Sequence, residues 1–340
     1  MRCMGVCKGG VAVFKLKAWF PPFTFYLFFI FSNSNQREGG YYPRFYFMAL
    51  LNACITGATS GIGLYSAISL ASTQRYRVIV TGRNAERGAA AVNRIKAASN
   101  NKNVLFVQGD CSSSSSVDAL ASAVLSELGD EPSLDLLINN AGFMGGFEQN
   151  ADGLEMHFAI NVLAPIRLSH ALLPALSAAS SARGEARVVN VTGGDAPAKV
   201  DPDNLQAEKG FKGLMTYTHA KSALEAASLD IAGQFERANV TVNVVFPGRA
   251  TTTMTKSLSL SSLPGPMKLF YPCFKMLFRE DGGKSAERAS KSTFYASTSE
   301  ELKGVSGKYF DMNSKEQKFH KTALDVNIQL RIREVVNSVG

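Results

Sequence analysis

The stretch Asn52-Ala53-Cys54-Ile55-Thr56-Gly57-Ala58-Thr59-Ser60-Gly61-Ile62-Gly63 decides how the rest of this chain is interpreted. Its first five residues suit a short buried strand, and a helical pattern follows Gly63. A glycine-rich turn between a strand and a helix brings backbone N–H groups close to phosphate, because no Cβ blocks the approach and the helix amino end favours negative charge. A turn of purely structural use is the alternative that this motif alone leaves open. The residues expected to contact a dinucleotide here are Gly57, Thr59, Ser60, Gly61, Ile62 and Gly63.

On both sides of this turn, short β-branched runs alternate with longer helical patterns, which indicates βαβ units and a parallel sheet. The expected fold is α/β: one doubly wound, Rossmann-type parallel sheet of about seven strands flanked by helices, in the order 3-2-1-4-5-6-7. Ligands of such sheets bind at the carboxyl ends of the strands. The predicted strands are Asn52–Thr56, Arg77–Thr81, Val104–Val107, Leu134–Ile138, Arg187–Val191, Val240–Val245 and Gly307–Phe310. The serine run Ser112–Ser116 is expected to cap the helix that follows it.

The length of 340 residues predicts one large domain plus an extension, and 46% hydrophobic with 19% charged residues is typical of a globular protein. We expect an N-terminal extension at 1–47 and a dinucleotide-binding domain at 48–340 that includes an apolar lid segment at 253–290. In the extension, basic positions precede an apolar run from Ala18 to Phe31, which is short for a membrane span and contains prolines. A targeting or anchor segment and a dispensable segment upstream of a start at Met48 both stay open.

The net charge of +8 comes from scattered basic residues, so no stripe for nucleic acid is predicted. Five cysteines without a C-x-x-C pair favour a reducing compartment, and four histidines without ligand spacing predict no metal site. The expected location is the cytoplasm, or a membrane of the endoplasmic reticulum or a plastid. Association with a membrane, through the N-terminal segment or residues 253–279, is one of the interpretations.

The end of the second predicted strand, Thr81-Gly82-Arg83-Asn84, indicates which dinucleotide binds. An enzyme that prefers NAD usually carries an acid here to bind the ribose 2′-hydroxyl. Because a guanidinium offers a planar fork of donors to a 2′-phosphate, Arg83 favours NADP(H) over NAD(H). After the third strand, Asp110 either contacts the adenine edge or serves only as an acid of the turn.

Two more segments make the pattern specific: Asn139-Asn140-Ala141-Gly142 follows an apolar strand, and Tyr217-Thr218-His219-Ala220-Lys221 lies on a helical stretch. With the glycine-rich turn, they resemble the motifs Thr-Gly-x-x-x-Gly-x-Gly, Asn-Asn-Ala-Gly and Tyr-x-x-x-Lys of the short-chain dehydrogenase/reductase family, in the same order. The resemblance covers about Leu51 to Asn337. It implies that Lys221 binds the nicotinamide ribose and that Asn161 holds a water in a proton relay. It also implies further cofactor contacts from Asn140, Ala141, Gly142, Pro247, Gly248, Ala250 and Thr252.

Tyr217 and Lys221 lie four residues apart, so their side chains share one face of a helix. A free tyrosine has a pKa of about 10, too high for ready proton exchange at neutral pH. A nearby ammonium and an oxidised nicotinamide would both favour the phenolate and lower that pKa. The sequence therefore predicts Tyr217 as general acid in ketone reduction and general base in alcohol oxidation.

One departure from the family is expected to matter. Where the family usually carries a serine pair after the fifth strand, the second serine helping to polarise the substrate carbonyl, this chain reads Val191-Thr192-Gly193-Gly194. Either a small shift lets Thr192 supply the hydrogen bond, or the oxyanion loses a donor worth about 3 kcal/mol.

These observations predict a small lipophilic substrate and leave two hypotheses. The segments Asn204–Lys209 and Ser306–Phe310 resemble the retinol-dehydrogenase-like branch. Residues 253–279 form an apolar stretch that suits a lid over an apolar substrate pocket. The first hypothesis is an NADP(H)-dependent oxidoreductase that interconverts a lipophilic aldehyde or ketone and its alcohol. The second is a catalytically impaired dinucleotide-binding regulator, because the usual serine is absent at 192–194. The family resemblance also implies a homo-oligomer.

Overall fold

The computed structural model describes residues 50–130, 132–193, 198–252 and 281–339, together with the backbone of two strands near the amino terminus. Residues 1–49 and 50–340 form two separate compact units. In the first unit, β1 (Val11–Phe20) pairs with β2 (Phe23–Ser32) in antiparallel register from Val11 opposite Ser32 to Phe20 opposite Phe23. Most of the predicted lid, residues 253–280, lies outside the described residues.

The second unit contains an eight-stranded sheet in the order β5-β4-β3-β6-β7-β8-β9-β10. Seven strands run parallel, and the eighth, β10, is antiparallel to β9. The doubly wound order is thus confirmed, and the bounds of the seven predicted strands differ by one or two residues at most. β10 was not expected, because two polar residues at a sheet edge carry no apolar alternation. The strands are β3 (Leu51–Ile55), β4 (Tyr76–Gly82), β5 (Val104–Gln108), β6 (Leu136–Asn139), β7 (Ala186–Val191), β8 (Val240–Val245), β9 (Tyr309–Phe310) and β10 (Glu316–Gln317).

Helices connect these strands, and the helix after the serine run is capped as predicted: Ser113 Oγ accepts the N–H of Ser116 at 3.3 Å. Within the described ranges, no single helix is long and apolar enough to cross a membrane. By length and composition alone, one pair of helices bent by 54° meets the requirement for a span: Met156–Ala171 and Leu173–Arg183. A π-helical turn, Ala159–Leu163, lies between α4 and α5. The helices are α1 (Gly61–Ser72), α2 (Ala85–Ser99), α3 (Ser114–Leu128), α4 (Met156–Phe158), α5 (Ala164–Ala171), α6 (Leu173–Arg183), α7 (Leu214–Phe235), α8 (Lys284–Thr298) and α9 (Val326–Ser338).

The sheet is buried on both faces, which explains why its strands read as nearly continuous apolar runs. Along β3, Cys54 belongs to one apolar cluster while Ala53 and Ile55 belong to the other. Phe158 and Phe235 are the largest fully buried side chains of the first cluster. Because both faces are covered by helices, polar chemistry is confined to the edge where the parallel strands end.

Candidate active site

The turns after β3 and β6 interlock through one hydroxyl and one amide. Thr56 Oγ1 accepts the backbone N–H groups of Asn140 and Ala141, both at 3.0 Å. The side-chain amide of Asn140 donates back to the carbonyl oxygens of Thr56 at 2.9 Å and Gly57 at 3.2 Å. These bonds join the glycine-rich turn to the Asn-Asn-Ala-Gly turn at the carboxyl edge of the sheet.

Glycines are required where the two turns meet. Gly57 has φ +64°, and a Cβ there would lie 2.9 Å from Ala141 Cα. A Cβ at Gly63 would overlap the side-chain amide nitrogen of Asn140. Helix α1 then begins at Gly61, with no side-chain cap from Ser60 and no acid in its first turn. The amino end of α1 is therefore open to an anion, which fits the pyrophosphate of a dinucleotide.

At the end of β4, a glycine stands where an NAD-preferring site usually carries an acid. A Cβ at Gly82 would lie 2.7 Å from the Thr59 methyl group, so a side chain there would require the Thr59 side chain to move. The next residue, Arg83, is exposed, and its carbonyl oxygen accepts a hydrogen bond from Gln108 at 3.0 Å. The arginine side chain thus begins at the edge of the sheet beside the turn.

The carboxylate of Asp110 is engaged within its own turn. It accepts the Ser112 backbone N–H at 3.1 Å and the Ser112 hydroxyl at 2.8 Å. Of the two interpretations of Asp110, this geometry matches the acid of the turn.

The turn after β8 packs over the start of α1. Thr252 Cγ2 lies 3.1 Å from the Cβ position of Gly61, and Ala250 packs in a small apolar cluster with Ile62. Pro247 is buried, and Gly248 has φ +83° beside Met312. The residues expected to contact the nicotinamide end are thereby brought to the same edge as the glycine-rich turn. Gly142, in the turn after β6, is exposed there as well.

Tyr217 lies in the first turn of α7, and its hydroxyl sits directly over Gly193. A Cβ at position 193 would overlap the Tyr217 hydroxyl and lie 3.2 Å from its Cζ. The space that a serine side chain needs at position 193 is therefore filled by the phenol. No other residue type fits at 193 unless Tyr217 moves.

Lys221 lies one turn further along α7 and is buried, with 4% of its surface exposed. Its ammonium donates to the carbonyl oxygen of Val191, the last residue of β7, at 3.0 Å. Tyr217 and Lys221 thus both contact the end of β7, at positions 193 and 191, and face the edge that carries the glycine-rich turn.

The electrostatics differ from the expectation for Tyr217. Burial raises the pKa of its hydroxyl to about 12. The Lys221 ammonium, whose charge was expected to lower that pKa, donates to Val191 O. Burial also lowers the pKa of Lys221 to about 8, an effect that the Glu225 carboxylate opposes. Without the charge of an oxidised nicotinamide, burial decides the protonation of the phenol.

Thr192 is hydrogen-bonded to helix α7. Its hydroxyl donates to Glu225 Oε1 at 2.9 Å and lies 3.3 Å from the carbonyl oxygen of Lys221. Positions 190 and 192 share one face of the strand, and Asn190 likewise binds α7 through Ser228 at 2.8 Å. Thr192 is drawn into the buried polar contacts of that helix, so the structure does not bring its hydroxyl to the missing serine position.

Asn161 lies in the π-helical turn and is fully buried. Its amide nitrogen donates to the carbonyl oxygen of Phe143 at 2.9 Å, and its amide oxygen accepts the Phe143 N–H at 3.1 Å. Its side chain thus makes two hydrogen bonds to the backbone of the loop that follows the Asn-Asn-Ala-Gly turn.

Two buried acids were missed by sequence reasoning. Glu155 bonds His157 Nδ1 at 2.6 Å, and His157 Nε2 accepts the Gly145 N–H at 3.2 Å, which holds the same loop as Asn161. Glu225 lies one turn after Lys221. An acid in the otherwise small and apolar run Ala223–Ala227 was the available signal for it. Among the described residues, no group of three metal-binding side chains is present.

Comparisons with known proteins agree with this geometry. The family model described as short chain dehydrogenase matches residues 51–262. Retinol dehydrogenase 12 of Mus musculus is 32% identical over 258 residues, which are 75% of this chain and 76% of that protein. Retinol dehydrogenase 13 of Homo sapiens is 30% identical over 260 residues, which are 76% of this chain and 75% of that protein.

Among solved structures, the Pseudomonas aeruginosa RhlG/NADP active-site complex is 26% identical, with a TM-score of 0.56 over 78% of this chain and 95% of that one. The chain therefore belongs to the short-chain dehydrogenase/reductase family of oxidoreductases, within which it resembles the retinol-dehydrogenase-like branch.

Proposed function

We propose that this protein is an NADP(H)-dependent oxidoreductase that interconverts a lipophilic aldehyde or ketone and its alcohol, with Tyr217 as the general acid and base. The observation that carries the proposal is the position of the Tyr217 hydroxyl, over Gly193 at the carboxyl end of β7. The same sheet edge carries the interlocked turns around Thr56 and Asn140.

The dinucleotide preference rests on the end of β4. Gly82 stands beside Thr59 in place of an acid, and the exposed Arg83 supplies a cation at the next position. A guanidinium binds a 2′-phosphate through charge-assisted hydrogen bonds. The similar RhlG structure is described as a complex with NADP, which supports the same preference.

The protein's own groups divide the chemistry between them, and bound nicotinamide supplies or accepts the hydride. Tyr217, whose pKa is raised to about 12 by burial, is protonated at neutral pH and is ready to donate its proton to a carbonyl oxygen. Alcohol oxidation needs the phenolate instead, so the oxidative rate is expected to rise with pH. The Lys221 ammonium donates to Val191 O at the end of β7, and it would bind the ribose of a bound cofactor.

The lipophilic substrate is supported by an aromatic cluster that joins the loop after β6 to α4 and to the segment before α7. The ring centroids of Phe143 and Phe211 lie 5.0 and 5.5 Å from that of His157, and Phe147 meets Phe211 edge-on at 5.6 Å. Phe147 is 52% exposed, which leaves an aromatic face open to a ligand. The two curated relatives are named for retinol, a lipophilic alcohol.

The test is a screen of retinoid, steroid and simple aromatic or aliphatic carbonyls with NADPH, comparing the wild-type protein with Tyr217→Phe. Loss of the phenolic proton donor is expected to lower kcat by at least about a hundredfold while NADPH still binds. Equal rates for the two proteins would remove Tyr217 from the mechanism.

The second candidate, a catalytically impaired dinucleotide-binding regulator, is favoured by two observations. Position 193 offers no hydroxyl, and the Thr192 hydroxyl is bound to Glu225. In that case the wild-type protein binds NADPH yet reduces none of the carbonyls in the screen. Membrane association stays a prediction, because the side chains of residues 1–47 and 253–279 lie outside the described part of the chain.

A further inference from the structure

Glu225 is a buried carboxyl group that the proposed proton transfer does not use. It lies on α7 one turn after Lys221, with 7% of its surface exposed. A buried acid is costly unless it is paired or hydrogen-bonded, so its surroundings indicate what keeps it in this site.

One contact ties this acid to the end of β7, and two further contacts tie its helix there. The Thr192 hydroxyl donates to Glu225 Oε1 at 2.9 Å. The same hydroxyl lies 3.3 Å from the carbonyl oxygen of Lys221, and the Lys221 ammonium donates to Val191 O at 3.0 Å. Helix α7 is thereby bound to two consecutive residues of the strand end, immediately before Gly193.

The charges of Glu225 and Lys221 act on each other. The carboxylate raises the pKa of Lys221 against the larger effect of burial, which brings it to about 8. Burial raises the pKa of Glu225 to about 7, while the Thr192 hydrogen bond and the Lys221 charge lower it. From the strand side the group facing Glu225 is Thr192, and from its own helix it is Lys221.

We propose that Glu225 is a positioning residue for Lys221: its carboxylate, anchored by the Thr192 hydroxyl, balances the buried ammonium and keeps it at the end of β7. This inference rests on the proposed function, because it assigns Lys221 to the cofactor site. Lys221 binds a ribose hydroxyl as a charged donor, so the loss of its proton weakens cofactor binding.

The experiment is a fluorescence titration of the full chain with NADPH across the neutral and mildly alkaline range, for wild type and Glu225→Gln. Glutamine keeps the size of the side chain and an oxygen for Thr192 but removes the negative charge. The ammonium form exists below the pKa of Lys221, and removal of the carboxylate lowers that pKa. The alkaline loss of NADPH affinity is therefore expected to move to lower pH by roughly one unit.

Glu236→Gln is the matched control, because Glu236 is an exposed glutamate just after the end of α7. It is expected to titrate like the wild type. Thr192→Val is a second variant that keeps the carboxylate but removes its hydrogen-bond donor. It is expected to shift the profile in the same direction as Glu225→Gln by a smaller amount. Thermal melting of each variant confirms that it is folded.

The outcomes separate the two proposals. A wild-type protein that binds NADPH, with a Glu225→Gln profile superimposed on its own, overturns the role of Glu225 and leaves the proposed function intact. If Glu225→Gln does not fold, an unshifted Thr192→Val profile overturns that role instead. A wild-type protein that binds no NADPH at any pH overturns both.

Discussion

The cofactor side and the catalytic side of the sheet edge are built differently. At the ends of β3 and β6, backbone and side chain interlock through Thr56 and Asn140, and a Cβ at Gly57 or Gly63 has no room. At the end of β7, Gly193 stands at the position that the family resemblance assigns to a serine, and the Tyr217 phenol fills the space above it. The first region keeps the family's pattern, and the second departs from it.

We therefore expect dinucleotide binding and turnover to depend on separate structural features. The interlocked turns depend on the absence of side chains, so a single added methyl group disturbs them. The end of β7 depends on the position of the Tyr217 phenol and on the buried side chains of Lys221 and Glu225. Variants of the interlocked turns should therefore lose NADPH binding, whereas variants at the end of β7 should lose turnover.

The largest effect is expected from Gly63→Ala, on the cofactor side. The added Cβ would overlap the Asn140 amide and lie 2.8 Å from Gly57 O, so the two turns must separate. NADPH binding is expected to fall below detection in a fluorescence titration. The free energy of unfolding, from urea denaturation, is expected to drop by roughly 1–3 kcal/mol.

Gly233→Ala is the control for this variant, because nothing lies within 4 Å of a Cβ at that position of α7. In an exposed helix interior, alanine is expected to stabilise the protein by up to about 1 kcal/mol relative to glycine. A Gly63→Ala protein that binds NADPH like the wild type would show that the interlocked turns do not form the cofactor site.

A smaller effect, limited to turnover, is expected from Gly193→Ala on the catalytic side. The added Cβ displaces the Tyr217 hydroxyl, and a misplacement of about 1 Å can lower kcat by about a hundredfold. NADPH affinity is expected to stay within about twofold of the wild type, because position 193 does not contact the interlocked turns. Steady-state kinetics with the best substrate of the screen, together with an NADPH titration, measure both quantities.

Gly193→Ser is compared with Gly193→Ala, since serine adds the same Cβ together with a hydroxyl. The ratio of the two kcat values measures the effect of that hydroxyl on turnover, and we expect Gly193→Ser to have the higher kcat. A Gly193→Ala protein with unchanged kcat would mean that Tyr217 does not need the position it occupies here.

The smallest effect is expected from Arg83→Ala, which changes cofactor choice and leaves the turns intact. Loss of a charge-assisted contact is expected to weaken NADPH binding by about tenfold and to leave NADH binding nearly unchanged. Arg237→Ala, an exposed arginine after α7, is the matched control. An unchanged ratio of NADPH to NADH affinity would end the assignment of Arg83 to the 2′-phosphate.

The amino-acid sequence by itself was sufficient to predict the doubly wound sheet and the dinucleotide-binding turn. Runs such as Val240–Val245 carry the strand signal locally, and Gly57, Gly61 and Gly63 carry the turn within one short segment. Features of this kind are encoded within a few residues, and so they can be read without knowing what packs against them.

Only the tertiary structure decided the catalytic edge. Gly193 and Tyr217 are distant in sequence, and their contact arises because α7 packs across the end of β7. The hydrogen bond between Thr192 and Glu225 depends on the same packing. Burial, which sets the pKa of Tyr217 and of Lys221, is a property of the assembled fold, because it depends on every element that excludes water from the site.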